Sequence, residues 1–121
     1  MRENPKTLHR VYNLTFASVY PLYVTKVEKK WRSKEELNTV IFWLTGYYEE
    51  KLEKQINQNV SFEIFFAESP AMNPLAQKIT WTICGVRIEE IQDPVYKNIR
   101  YLDKLVDELA KGRNLEKILR K

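Results

Sequence analysis

Residues 93–112 read DPVYKNIRYLDKLVDELAKG, and both ends of a long helix are marked within that stretch. Asp93-Pro94 opens it and Lys111-Gly112 closes it, the asymmetry expected of helix termini. Between them one side is apolar. The other side carries Arg100–Asp103, Lys104–Glu108 and Asp107–Lys111 at helical spacing, so its charges pair along the helix. Such a mixed-sign face repels a phosphate backbone about as much as it attracts one, and it suits solvent or a protein partner.

The stretch before this helix is less clear. Ile79, Trp81 and Ile83 alternate with Thr80 and Thr82, a strand-like composition. A single strand has no partner unless the N-terminal segment supplies one, so residues 79–84 are read as helix, with a small two-stranded element as the alternative. Further back, Ser61 caps a short helix carrying Phe62, Phe65 and Phe66, and Asn73-Pro74 can start another. A segment from Tyr48 to Asn57 puts Tyr48, Leu52 and Ile56 on one side and ends at the turn Asn57-Gln58-Asn59. Ser33 with Glu36 forms a capping box, Leu37, Val40, Ile41 and Leu44 a buried face, and Gly46 a stop.

The first helix is read from the stripe Tyr20, Tyr23, Val24, Val27 and Trp31, and Pro21 places its start near Ser18 to Tyr20. Residues 1–15 alternate late, as Tyr12, Leu14 and Phe16, and are expected to form an extended N-terminal arm or a short strand. Residues 113–121 read as a basic C-terminal tail or short helix. The expected architecture is mainly α: a compact single-domain bundle of five to seven short helices across residues 1–121, with at most a minor two-stranded element.

Composition narrows the function classes. With Cys84 the only cysteine and His9 the only histidine, no internal disulfide and no Cys- or His-based metal site can form. Neither a metal nor a cofactor is expected. The charged N-terminus is not a secretory signal and no apolar run is long enough to span a bilayer, so a cytoplasmic protein is expected. Cys84 reads as a structural thiol, and no glycine-rich phosphate loop, GxSxG or HExxH occurs.

The net charge of +4 is concentrated in two places. Lys26, Lys29, Lys30, Arg32 and Lys34 against Glu28 give +4, and Lys111, Arg113, Lys117, Arg120 and Lys121 against Glu116 give another +4. The backbone dipole at helix C-termini accounts for such clusters, and a phosphate-binding patch is the alternative.

Five phrases carry a family resemblance: FASVYPLYV at 16–24, WLTGY at 43–47, FFAESPAMNP at 65–74, ICGVRIEEI at 83–91 and IRYLDKLVDELAKG at 99–112. Together the chain resembles the small bacterial proteins grouped as domain of unknown function 2200, from about His9 to Arg120. The resemblance implies a bacterial, cytoplasmic, mainly helical domain and implies no activity. Trp31 before Arg32 departs from it, since a smaller residue is expected there.

The leading reading is a small helical protein-interaction or adaptor domain without catalysis, either with a protein partner or as a homodimer. The alternative is a nucleic-acid-binding module using Lys26, Lys29, Lys30, Arg32 and Lys34. A third is a small-molecule or enzymatic pocket between helices, using Arg87, Glu90 and Arg100 with Tyr20, Tyr23 and Tyr47 on its rim. In the bland version of the third, Arg87 and Glu90 pair with each other and bridge to Arg100 or Lys104.

Overall fold

A computed structural model describes residues 5–83 and 86–120. Among them are seven α-helices: α1 (Pro5–Asn13), α2 (Phe16–Glu28), α3 (Lys34–Thr45), α4 (Glu49–Asn57), α5 (Phe62–Ala67), α6 (Pro94–Ala110) and α7 (Leu115–Ile118). Two 3-10 turns, Pro74–Lys78 and Ile88–Glu90, flank a hairpin of β1 (Thr82–Ile83) and β2 (Val86–Arg87). The fold is mainly α, as the patterning predicts. No helix among the described residues is long and apolar enough to cross a membrane.

The chemically marked ends behave as expected. The Asp93 carboxylate accepts from the Tyr96 amide, and α6 follows without interruption to Ala110. Ser33 and Glu36 form the reciprocal capping box of α3, while Ser61 and Asn73 accept the amides of Ile64 and Leu75. Gly46 ends α3 at φ +77, with its amide bonded to the Phe42 carbonyl. Its lack of a side chain is required twice over, because a Cβ there would sit 2.8 Å from the Ala71 amide nitrogen. That close approach lets Ala71 and Asn73 donate to the carbonyls of Thr45 and Leu44 (3.1 and 2.9 Å), which pins the 70–73 loop to the end of α3.

Three local readings are corrected. Residues 5–13 are helical rather than an extended arm: the Tyr12, Leu14, Phe16 alternation spans the end of one helix and the start of the next. α2 begins at Phe16, capped by Thr15, so Pro21 lies in its second turn rather than its first. Of the segment 79–84, the described residues 79–83 do not form a helix; Thr82 and Ile83 pair antiparallel with Arg87 and Val86, so the partner strand comes from the following residues and not from the N-terminus. Cys84 lies outside the described residues.

The core is assembled on α6, whose Ile99, Leu102, Leu105, Val106 and Leu109 are buried against the other helices. At its other side, Phe16 stacks on Phe65 (4.1 Å between centroids, 5° between planes) and meets Phe62 edge-on. The cap residues of α2 and α5 lock this cluster in place. Thr15 and Ser61 form an isolated antiparallel bridge, with Phe16 donating to Val60 (3.0 Å) and Phe62 donating to Leu14 (2.8 Å). One short bridge thus satisfies backbone groups at the start of two helices at once.

Candidate functional site

The residues considered for a pocket do not converge as a set. Tyr47 is buried, stacks on Phe65 and donates to the Phe65 carbonyl (2.6 Å), so it belongs to the core. Tyr20 is likewise buried and donates to Asn38 on α3; burial pushes its hydroxyl above the ordinary range. Arg87 and Glu90 sit exposed on β2 and the turn after it, where Arg87 pairs with Glu89 (3.2 Å) and with Glu90 (4.0 Å). Tyr23 and Arg100 do meet. The Tyr23 hydroxyl donates to Asp103 (2.7 Å), which also holds Arg100 (3.1 Å). Burial pushes both Tyr23 and Asp103 up, the latter in spite of the hydrogen bonds that favour its carboxylate.

All three charge pairs read along α6 are present, at 3.1 Å for Arg100–Asp103, 3.8 Å for Lys104–Glu108 and 3.1 Å for Asp107–Lys111. The face they occupy is not a solvated one throughout. Glu108 is 4% exposed, covered by the chain after α6, and receives Arg113 (2.9 Å) and a two-nitrogen grip from Arg120 (2.6 and 2.9 Å). Part of the C-terminal basic excess is therefore spent on one buried carboxylate.

The two basic clusters, distant in sequence, meet where the end of α2 lies beside the end of α6. Arg32 joins them. Its guanidinium grips Glu36, holding that carboxyl below its ordinary range, and donates across to the carbonyls of Arg113 (2.8 Å) and Leu109 (3.4 Å) at the end of α6. Arg32 is thus a structural clasp and is withdrawn from the free basic patch. Lys34 is exposed, with its ammonium over the Tyr20 ring at 5.8 Å.

Lys26, Lys29 and Lys30 instead line a groove of about 460 Å³ between the C-terminal halves of α2 and α6, opposite Lys111. Its remaining walls are Leu22, Thr25, Ala110 and Asp107. Lys26 and Lys111 both reach Asp107 (3.6 and 3.1 Å), whereas Lys29 and Lys30 make no ion pair among the described residues. Leu22 is 66% exposed there, an apolar side chain held in solvent beside unpaired ammonium groups.

The residue following Lys30 is Trp31, and its environment is unlike that expected from the stripe. Trp31 lies past the end of α2 and is 95% exposed. Its φ is +64, in the left-handed region. The Arg32 amide reaches back to the Val27 carbonyl (3.0 Å) and the Trp31 amide to Glu28 (3.1 Å), the paired bonds of a Schellman cap. The same pair of bonds ends α4 with Asn59 (φ +52) and α6 with Gly112 (φ +84) in the left-handed position. Glycine and asparagine tolerate that conformation; a bulky tryptophan pays roughly 1–2 kcal/mol for it. Here the strained side chain packs on almost nothing. The departure at Trp31 was visible in the sequence, but the stripe reading placed the ring in the core.

A chain of this architecture, built almost entirely from helices around a core that includes buried tyrosines, is a small, mainly helical protein. It belongs to the family described as uncharacterized protein conserved in bacteria (DUF2200), whose model matches residues 10–120. It is similar to the crystal structure of uncharacterized protein SP1917, with 43% identity over 92% of this chain and 91% of that one and a TM-score of 0.84. Among curated proteins none matches.

Proposed function

We propose that the protein is a protein-interaction module that captures an acidic, amphipathic segment of a partner through the groove between α2 and α6, with Trp31 as the exposed anchor. Trp31 carries the proposal: a large aromatic ring 95% exposed, in a backbone position where glycine would be more stable, has no folding role to account for it. Tryptophan is the side chain most enriched at interface hot spots. The groove adds apolar surface at the exposed Leu22 and at Ala110, with ammonium groups from Lys29 and Lys30 beside it. That combination suits a segment presenting apolar side chains between carboxylates.

A nucleic acid is the second reading, since a ring next to lysines can stack a base. It is less well supported. Asp107 holds two of the four groove lysines and would face a phosphate backbone, and Arg32 is committed to Glu36 and the end of α6. Peptide display against the whole chain, counter-selected with Trp31→Gly, tests the proposal. It predicts peptides rich in Asp, Glu and large apolar residues. Peptides without acidic character, or ones that bind the variant equally, would count decisively against it.

A further inference from the structure

A separate cleft of about 300 Å³ lies between the 3-10 turn Pro74–Lys78 and the first half of α6. A cavity of roughly 150 Å³ already accommodates a benzene ring, so a fused two-ring heterocycle fits here. One wall is set in place by Asn73. Its side-chain amide donates to the Trp43 carbonyl (3.2 Å), its side-chain oxygen accepts from the Leu75 amide (2.9 Å), and its backbone amide donates to Leu44 (2.9 Å). Met72 and Pro74, on either side of it, are thereby positioned as the apolar part of the lining.

Three polar lining groups are left uncommitted by the fold. The Gln77 and Asn98 carboxamides and the Tyr101 hydroxyl make no hydrogen bond among the described residues. Tyr101 is the decisive one, because it is only 6% exposed and a buried phenol ordinarily finds a partner. Tyr12, Tyr20, Tyr23 and Tyr47 each donate to an acceptor within the chain. Burial pushes the Tyr101 hydroxyl up, and the Glu89 carboxylate adds to that, so it keeps its proton and stays a donor. Asn98 and Tyr101 are three residues apart on α6 and share one side of it. Lys97 is the one charged lining residue. Its charge is set against Glu89, whose carboxyl is held below its ordinary range by its own backbone amide, then by Arg87 and Lys97. The groups left for a ligand are therefore neutral.

We propose that this cleft binds a neutral adenine-type heterocycle. The Gln77 and Asn98 carboxamides pair with its amino group and the ring nitrogens beside it, Tyr101 donates to a further ring nitrogen, and the ring face lies against Met72. A carboxamide presents one donor and one acceptor side by side, which matches an amino group next to a ring nitrogen. A guanine edge with two adjacent acceptors would call for a guanidinium or ammonium instead. The Met72 thioether adds a polarizable contact suited to an aromatic ring. This site shares no residue with the lysine groove and stands independently of it.

The test titrates the whole chain with adenosine, with purine riboside (which lacks the amino group) and with ribose, following backbone amide shifts by NMR. Saturable shifts at Met72, Gln77, Asn98 and Tyr101 are expected for adenosine, with purine riboside at least about tenfold weaker and ribose inactive. Tyr101→Phe removes only an unpaired hydroxyl, so it should melt at the wild-type temperature yet weaken adenosine about three- to tenfold. Gln77→Ala, at an exposed position, should weaken it similarly, while Lys29→Gln with Lys30→Gln leaves it unchanged. The proposal is overturned if adenosine does not saturate at millimolar concentration, or if purine riboside or ribose binds equally. It is overturned too if Tyr101→Phe binds as the wild type does or melts well below it, or if the shifts fall in the lysine groove.

Discussion

Replacing Trp31 with glycine should make this protein more stable, by an amount that can be worked from the cap geometry. The left-handed backbone at φ +64 costs a bulky L-residue roughly 1–2 kcal/mol. Against that, glycine adds unfolded-state entropy worth roughly 0.5–1 kcal/mol. The ring itself contributes little. A fully buried tryptophan hides about 250 Å², and with 95% of it exposed the remaining twentieth is worth about 0.3 kcal/mol. The net expectation is a stabilisation of about 0.2–0.7 kcal/mol, or a Tm rise of about 1–3 °C for a domain of this size. Chemical denaturation with matched m-values measures it. Gly112→Ala calibrates the argument within the same fold, because an added Cβ there meets nothing within 4 Å and φ is +84. It should cost about 1 kcal/mol from conformation alone. If Trp31→Gly destabilises the chain by a similar amount, the ring supports the fold and its exposure says nothing about a partner.

Gly46→Ala should be far more damaging than Gly112→Ala, at about 2–4 kcal/mol by thermal melting, because a left-handed φ of +77 is joined by backbone at 2.8 Å. Glu108→Gln should cost about 3 kcal/mol in urea titration and more than Arg120→Gln, since it strands three cations around a site 4% exposed while the arginine variant still leaves Arg113 and Lys104. The Tyr12 hydroxyl, which donates to Asp93 at 2.6 Å, is pushed up to about 12 by that bond and then by burial, so site-resolved NMR should show it ionising well after an exposed tyrosine. Its folded form holds the proton more tightly than the unfolded chain. The stability it contributes is therefore complete below about pH 10 and falls as the pH rises towards 12.

How much of this was legible depended on whether the signal was local. Helix ends were readable where a side chain caps its own backbone, as at Ser33 with Glu36, Ser61, and Asp93, since those contacts span three residues. The α6 charge pairs were readable for the same reason. Periodicity misled where it ran across a boundary. Tyr12, Leu14 and Phe16 alternate only because two helices abut, and Trp31 continued a stripe whose helix had already ended. The lysine groove depended on contacts no spacing reveals: Arg32 reaches Leu109 and Arg113, 77 and 81 residues away, and ties the end of α2 to the end of α6. Of the tyrosines and arginines singled out, only Tyr23 and Arg100 share a site, and Asp103 that joins them had been read as part of a solvated pair.

The central claim, that the Trp31 turn and its lysine groove receive an acidic protein segment, is tested most directly by comparing two ligands on two proteins. A display-selected acidic amphipathic peptide and a single-stranded oligonucleotide are each titrated into the wild type and into Trp31→Gly, across a range of salt. The peptide should bind the wild type, lose at least about tenfold in the variant, and shift the amides of residues 22–31 and 107–111. Tight oligonucleotide binding that falls steeply with salt, or peptide affinity unchanged by Trp31→Gly, would contradict it.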